Sequence, residues 1–175
     1  MADLEALLKE KIRSIPDYPR KGILFRDITP LLKDSGSFRA CIDALAEQFG
    51  SGNVDYVAGI EARGFIIGGA LAEKLGVGFV PIRKKGKLPY KKLSMEYELE
   101  YGKETIEVHE DAIEKGSKVL IVDDLLATGG TAESSSRLLR KMGASIVGYA
   151  FLVELSDLKG RDKLNGAKTI SLVKY

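Results

Sequence analysis

Short apolar runs alternate with helix-patterned segments along most of this chain, and that alternation narrows its fold more than any other feature. Residues 54–60, 77–82, 118–124, 145–155 and 168–173 are apolar runs of strand length. Between them, residues 64–75 and 131–142 are patterned as helices, the second followed by Gly143. Strands that are apolar on both faces and separated by helices predict a parallel sheet covered on both sides, an α/β fold. Ligands of such sheets bind beyond the carboxyl ends of the strands. That rule points to EARG after the first run, IRKKGK after the second and DDLLATGGT after the third.

Three segments stand outside this rhythm. Residues 3–13 have helical spacing, with Leu4, Leu7, Leu8 and Ile12 on one side, and Pro16 and Pro19 then break the pattern. Residues 37–49 predict a second helix with Phe38, Ile42, Leu45, Ala46 and Phe49 as its stripe and Ser35 or Ser37 as its cap. Residues 93–101 instead alternate strictly. Leu93, Met95, Tyr97, Leu99 and Tyr101 face one way, and Ser94, Glu96, Glu98 and Glu100 the other. That period of two predicts a strand with one wet face, turned at Gly102-Lys103 and returning through residues 105–109. The pair reads as a β-arm projecting from the sheet.

Charge excludes several classes. The 175 residues suit one domain and hold 27 basic against 25 acidic side chains, a net +2. That is no general nucleic-acid binder. The sum conceals a cancellation: residues 83–92 carry six basic side chains and no acid, while residues 93–114 carry eight acids and only Lys103 as a base. The most apolar stretch, residues 64–72, is far short of the ~20 residues a membrane helix needs, and MADLEALLKEKIR is not patterned as a signal peptide. A single cysteine, Cys41, excludes an internal disulfide and suits a reducing, cytoplasmic compartment. A single histidine, His109, leaves too few parts for zinc or Ser/His/Asp chemistry.

The strongest motif is VLIVDDLLATGGT, residues 119–131. A buried strand ends in two carboxylates, and a Thr-Gly-Gly loop then opens a helix. Glycines let backbone N–H groups approach a ligand, and a helix N-terminus favours an anion. Thr128 and Thr131 add hydroxyl donors. Asp123 and Asp124 suit sugar hydroxyls, or a hydrated magnesium ion held mainly by substrate oxygens. A strand-turn-helix with an acidic edge is the plainer alternative. The acidic strand of a nucleoside triphosphatase is excluded, because GxxxxGK[ST] occurs nowhere in the chain.

The motif resembles the phosphoribosyl pyrophosphate loop of type I phosphoribosyltransferases, in the variant that acts on adenine. IPDYPRKGILFRDITPLL (15–32), GIEARGF (59–65), PIRKKGKLP (81–89), YELEYG (97–102) and LVEL (152–155) resemble that family too, in order and across nearly the whole chain. Lys21 stands where a proline is common and Glu104 where an aspartate is common. The resemblance implies the family's α/β fold over residues 1–175, with residues 1–36 as an N-terminal hood and residues 83–109 as a basic loop and flexible β-arm.

Site residues follow from the same match. Ala127, Thr128, Gly129, Gly130 and Thr131 correspond to the 5′-phosphate cradle, and Asp123 and Asp124 to the ribose contacts. In EARG, Ala62 and Arg63 correspond to pyrophosphate contacts, with the Ala62–Arg63 bond a candidate cis peptide; the residues alone equally allow Arg63 to pair with Glu61. Arg83 and Lys87 match further pyrophosphate contacts, and Lys84 is a helper. Without the match the basic segment reads as a solvated loop. Phe25 alone reads as core, and Asp27 as a partner for Arg26. The resemblance makes Phe25 the platform for adenine, with Leu24 backbone groups reading its edge, Arg26 nearby and Leu126 and Leu155 completing the sandwich. Glu100 is implied as the carboxylate that takes the base proton. Cys41 reads as core filler and His109 as structural.

The implied reaction is adenine plus phosphoribosyl pyrophosphate giving AMP and pyrophosphate, with Mg²⁺ on the diphosphate, no direct protein metal ligand, and a homodimer as the assembly. No nucleic-acid or membrane partner is implied. Transfer to hypoxanthine, guanine or xanthine is the near alternative, since only residues 22–28 and 152–155 speak for adenine. A non-enzymatic sensor of phosphoribosyl pyrophosphate is the distant one.

Overall fold

Val57 and Ala58 are neighbours on one strand and bury completely into two different cores, one on each face of a sheet. The computed structural model describes every residue except Met1, Ser51, Glu100, Tyr101 and Asn165. In chain order the elements are α1 (Ala2–Lys11), β1 (Arg13–Pro16), β2 (Leu24–Asp27), α2 (Thr29–Lys33), α3 (Ser35–Phe49), β3 (Tyr56–Ile60), α4 (Arg63–Leu75), β4 (Gly78–Lys84), β5 (Lys92–Leu99), β6 (Gly102–His109), β7 (Lys118–Leu126), α5 (Gly130–Lys141), β8 (Ser145–Glu154) and β9 (Thr169–Lys174). Two 3₁₀ turns, Ser156–Leu158 and Gly160–Leu164, join β8 to β9.

The seven-stranded sheet has the order β5-β6-β4-β3-β7-β8-β9. Its β4-β3-β7-β8-β9 part is parallel, as the alternation of runs and helices predicts. Because side chains alternate along a strand, Leu120 and Val122 of β7 face one core while Val119 and Ile121 face the other. The first core takes Leu8 of α1, Leu45 of α3 and Leu71 of α4, each fully buried. The second takes Leu138 and Leu139 of α5. Each such leucine removed from water contributes about 1.5–3 kcal/mol.

Three local expectations are corrected. The cap of α3 is Asp34, whose Oδ1 accepts the Ser37 amide at 2.9 Å, rather than Ser35 or Ser37. Strand β7 runs two residues past Asp124 to Leu126, because Leu125 and Leu126 keep pairing with β8. The β-arm does not stand clear of the sheet. β6 pairs antiparallel with β4 at Arg83↔Glu107 and Lys84↔Ile106, so β5 and β6 extend the sheet edge. Met95 and Tyr97, on the apolar side of the alternation, are buried in the second core.

The N-terminal residues form a separate two-stranded sheet, with β1 antiparallel to β2. Asp27 does not pair with Arg26. Its Oδ1 accepts both the amide and the hydroxyl of Thr29, and its other oxygen lies 3.7 Å from Arg13.

Candidate active site

The adjacency of β4, β3 and β7 brings three chain segments to one edge. These are residues 61–63 after β3, the basic segment at and beyond the end of β4, and the end of β7 leading into α5. Between them lies a cleft of about 510 Å³. Glu61, Ala62, Arg63, Arg83, Lys84, Lys87, Asp123, Asp124 and Thr131 line it, with Ile60, Ile82 and Ile106 as apolar wall. Residues far apart in sequence, selected above for one diphosphate-bearing ligand, therefore share one space.

The charges in the cleft are paired. Arg63 Nε donates to Asp124 Oδ2, not to Glu61. Burial works against the Arg63 charge, but that bond and the nearby Asp123 outweigh it and raise its pKa. Glu61 gathers the basic segment: its Oε1 accepts Lys87 Nζ at 2.9 Å, and its Oε2 accepts the Lys84 amide at 3.0 Å and Arg83 Nε at 3.3 Å. Burial opposes ionisation of Glu61, yet these donors together hold it at about 2. Lys84 Nζ meets Glu104 at 2.9 Å. The peptide bond between Glu61 and Ala62 is cis, one residue earlier than expected.

Asp123 and Asp124 differ in surroundings. Asp123 accepts the Asp124 amide at 2.8 Å. Burial, and then the neighbouring Asp124 carboxylate, push its pKa well up. Gly64 makes this packing fit, since a Cβ there would stand 3.0 Å from Asp123 Oδ1 and 2.9 Å from the Val122 carbonyl.

Beside the cleft, Ala127, Thr128, Gly129, Gly130 and Thr131 border a smaller hollow of about 70 Å³, which also takes in Asp123 and Leu126. Gly129 has φ +77°, and a Cβ on it would collide with the Gly160 carbonyl. The loop can turn there only with glycine. The helix opens at Gly130 without a side-chain cap, which leaves its first amides for a ligand.

The residues expected around a base are dispersed. None of Leu24, Phe25, Arg26, Leu126 and Leu155 borders the larger cleft. Phe25 packs edge-on against Tyr18 at 5.2 Å, and the Arg63 guanidinium lies 5.8 Å from its ring. Arg63 thus links the Phe25 ring, expected as the base platform, to the cleft expected to take the diphosphate. Arg26 stacks 3.6 Å over the Tyr175 ring and donates to Ser14. Leu24 is exposed and Leu126 is buried in the second core. Leu155 is half-buried, and its amide donates to the Leu126 carbonyl at 2.9 Å. Glu100, the expected proton acceptor, lies outside the described residues.

Sequence reasoning missed three cleft residues. Glu61 was legible as the acid of EARG but was assigned only as a rival partner for Arg63. Tyr97 and Glu104 come from the arm and line the cleft, joined by a 2.8 Å hydrogen bond from the Tyr97 hydroxyl to Glu104 Oε2. Thr131 Oγ1 donates to the Tyr97 hydroxyl at 3.2 Å, which ties the arm to the start of α5. Cys41 is inert core, its thiol pushed up to about 12 by burial.

Residues 28–171 match the family described as Phosphoribosyl transferase domain. The chain belongs to the phosphoribosyl transferase family. It is 58% identical over 168 residues to the adenine phosphoribosyltransferase of Thermotoga neapolitana, covering 96% of this chain and 99% of that relative. Among solved structures, the adenine phosphoribosyltransferase of Thermoanaerobacter pseudethanolicus superposes with a TM-score of 0.94 at 52% identity, covering 97% of this chain and 99% of the other. The Saccharomyces cerevisiae enzyme, complexed with an imino-altritol bisphosphate and adenine, superposes with a TM-score of 0.92 at 43% identity, covering 98% and 99%. The sheet described above is thus a phosphoribosyl transferase sheet, and the expected fold class holds.

Proposed function

We propose that this phosphoribosyl transferase moves the 5-phosphoribosyl group from phosphoribosyl pyrophosphate to adenine, giving AMP and pyrophosphate. The observation that carries this is likeness to adenine phosphoribosyltransferases over nearly the full chain, joined to a cleft in which four cationic side chains face two aspartates.

Charge and geometry support the division of labour. The Ala127–Thr131 loop and the first amides of α5 hold the 5′-phosphate. Asp123 and Asp124 accept from the ribose hydroxyls. Arg63, Arg83, Lys87 and Lys84, with the backbone at Ala62, receive the diphosphate. Each cation already has a carboxylate partner, so ligand entry exchanges one anion for another at these partly exposed side chains.

Chemistry then needs three things. The C1–O bond breaks with its electron pair passing to the diphosphate, which the cationic side chains stabilise. Adenine N9 forms the new bond to C1, and Glu100 takes the imidazole proton. Water is kept from the activated sugar by the arm, through Tyr97 and Thr131. Phe25 supplies the stacking face for adenine beside Arg63.

A magnesium ion fits this donor set as a passenger on the substrate. Among the described residues no group of three or more His, Cys, Asp or Glu could hold a metal by itself, while Asp123 and Asp124 offer oxygens to a hydrated ion. When bound, it neutralises charge on the leaving diphosphate.

The reading extends to a cytoplasmic homodimer without nucleic-acid or membrane partners. Exposed Ile66 on α4 and Phe79 on β4, with the single buried Cys41, support it. The activity is tested by AMP formation from adenine, phosphoribosyl pyrophosphate and magnesium with purified protein. A protein that binds the sugar diphosphate but forms no AMP is a sensor instead.

A further inference from the structure

Glu107 is a buried carboxylate for which the reaction above has no use. It stands on β6 with 3% of its surface exposed and does not border the cleft. Such a group is costly to bury unless its oxygens are satisfied. Here they are, and the partners are of one kind. Its Oε2 accepts the Gly86 amide at 2.9 Å and lies 3.2 Å from Lys92 Nζ. Its Oε1 accepts the Ser94 hydroxyl at 3.4 Å. All three partners belong to the basic segment or to the strand that leaves it. One carboxylate therefore closes the loop on itself, near both ends.

The loop between these points is fixed further. Lys92 Nζ donates to the Leu88 carbonyl at 3.1 Å, and Leu88 is itself buried. From the other flank Arg83 Nη1 donates to the Lys87 carbonyl at 3.1 Å. The backbone at Lys87 is held on both sides, while its ammonium extends into the cleft to Glu61. The anchor and the working end sit on opposite sides of one short segment.

We propose that Glu107 is a positioning residue for the sugar diphosphate: through Gly86 and Lys92 it fixes residues 86–92, so that Lys87 meets the diphosphate already ordered. This rests on the assignment of Lys87 to the diphosphate. A flexible loop has to be ordered when its ligand binds, and that cost weakens affinity; a loop ordered beforehand avoids it. The effect is confined to the ligand that Lys87 touches, so adenine is not involved.

The test is steady-state kinetics on the full chain with magnesium, varying both substrates, for wild type, Glu107→Gln, Lys92→Gln and the double variant. Glutamine keeps the volume and an acceptor for Gly86 but not the attraction for Lys92. The KM for phosphoribosyl pyrophosphate is expected to rise about tenfold in Glu107→Gln, as loss of a charged hydrogen bond entails. It should rise severalfold in Lys92→Gln, with kcat and the adenine KM within about twofold of wild type. The double variant should be no worse than Glu107→Gln, because both changes remove one shared contact. A fall in kcat with both KM values unchanged marks a purely structural residue and overturns the proposal, as does an equal rise in both KM values. Should Glu107→Gln fail to fold, Lys92→Gln decides alone, and an unchanged KM for the sugar diphosphate overturns it. Lys87→Met separates the two assignments. If it raises that KM while Glu107→Gln does not, only the anchor is lost. If it changes nothing, the diphosphate role of Lys87 falls and takes the anchor with it.

Discussion

Lys87 Nζ and Glu61 Oε1 lie 2.9 Å apart across the cleft, and the same carboxylate also holds Arg83 and the Lys84 amide. Glu61 therefore behaves as a resident anion at the proposed diphosphate position. Its pKa sits near 2, below its ordinary 4.5. A depressed carboxylate contributes stability that is present above the ordinary value and is lost as pH falls through the folded one. The window is thus from about pH 5 down to about pH 2. Thermal unfolding across that window is expected to show a shallower loss of stability in Glu61→Gln than in wild type. Parallel curves would remove this role from Glu61.

Asp123 is held in the opposite sense, half-buried beside a second carboxylate. Replacing it with asparagine removes repulsion and keeps the shape. Asp123→Asn is expected to raise Tm by about 2–4 °C, the shift that ~1 kcal/mol gives in a chain of this size. The same change should weaken binding of phosphoribosyl pyrophosphate by about tenfold or more and adenine hardly at all. Calorimetry with each ligand checks the second half, and equal losses would contradict the ribose assignment.

Gly129 is the most constrained point of the proposed phosphate cradle. Its positive φ and its contact with Gly160 leave no room for a side chain. Gly129→Ala is expected to cost about 2–4 kcal/mol of stability and to abolish affinity for ribose 5-phosphate. Denaturant unfolding measures the first, and ligand-induced stabilisation the second.

Glu100 is expected to matter to rate and not to sugar-diphosphate binding. Glu100→Gln should lower kcat by about 10²–10⁴-fold, the usual weight of a general base, with the KM for phosphoribosyl pyrophosphate near wild type. A variant with near wild-type turnover would assign the proton elsewhere.

Much of this was legible in the sequence because it depends on local patterns. Apolar runs gave the parallel strands, and the rule for strand ends gave the three segments that line the cleft. What was not legible depends on pairing across distance. Nothing near Arg63 in sequence says that it will choose Asp124 over Glu61, since the choice follows from β7 lying beside β3. The resemblance placed the arm at the site through Glu100, but which other arm side chains line the cleft was hidden for the same reason. Period two identified Tyr97 as inward-facing, but only the pairing of β6 with β4 brings Tyr97 and Glu104 to the basic segment. Gly160 carried no signal, because its importance is a backbone contact with Gly129 across thirty intervening residues. The base side was the least legible: Phe25 is near Arg63, whereas Arg26 is spent on Tyr175.

The most direct measurement is kcat/KM for adenine, hypoxanthine, guanine and xanthine, with phosphoribosyl pyrophosphate saturating. Adenine is expected to exceed every 6-oxo purine by about 10²-fold or more, since a site that accepts from an exocyclic amine leaves its buried groups unpaired against an oxygen. A 6-oxo purine used as well as adenine, or better, would contradict the assignment of this chain to adenine.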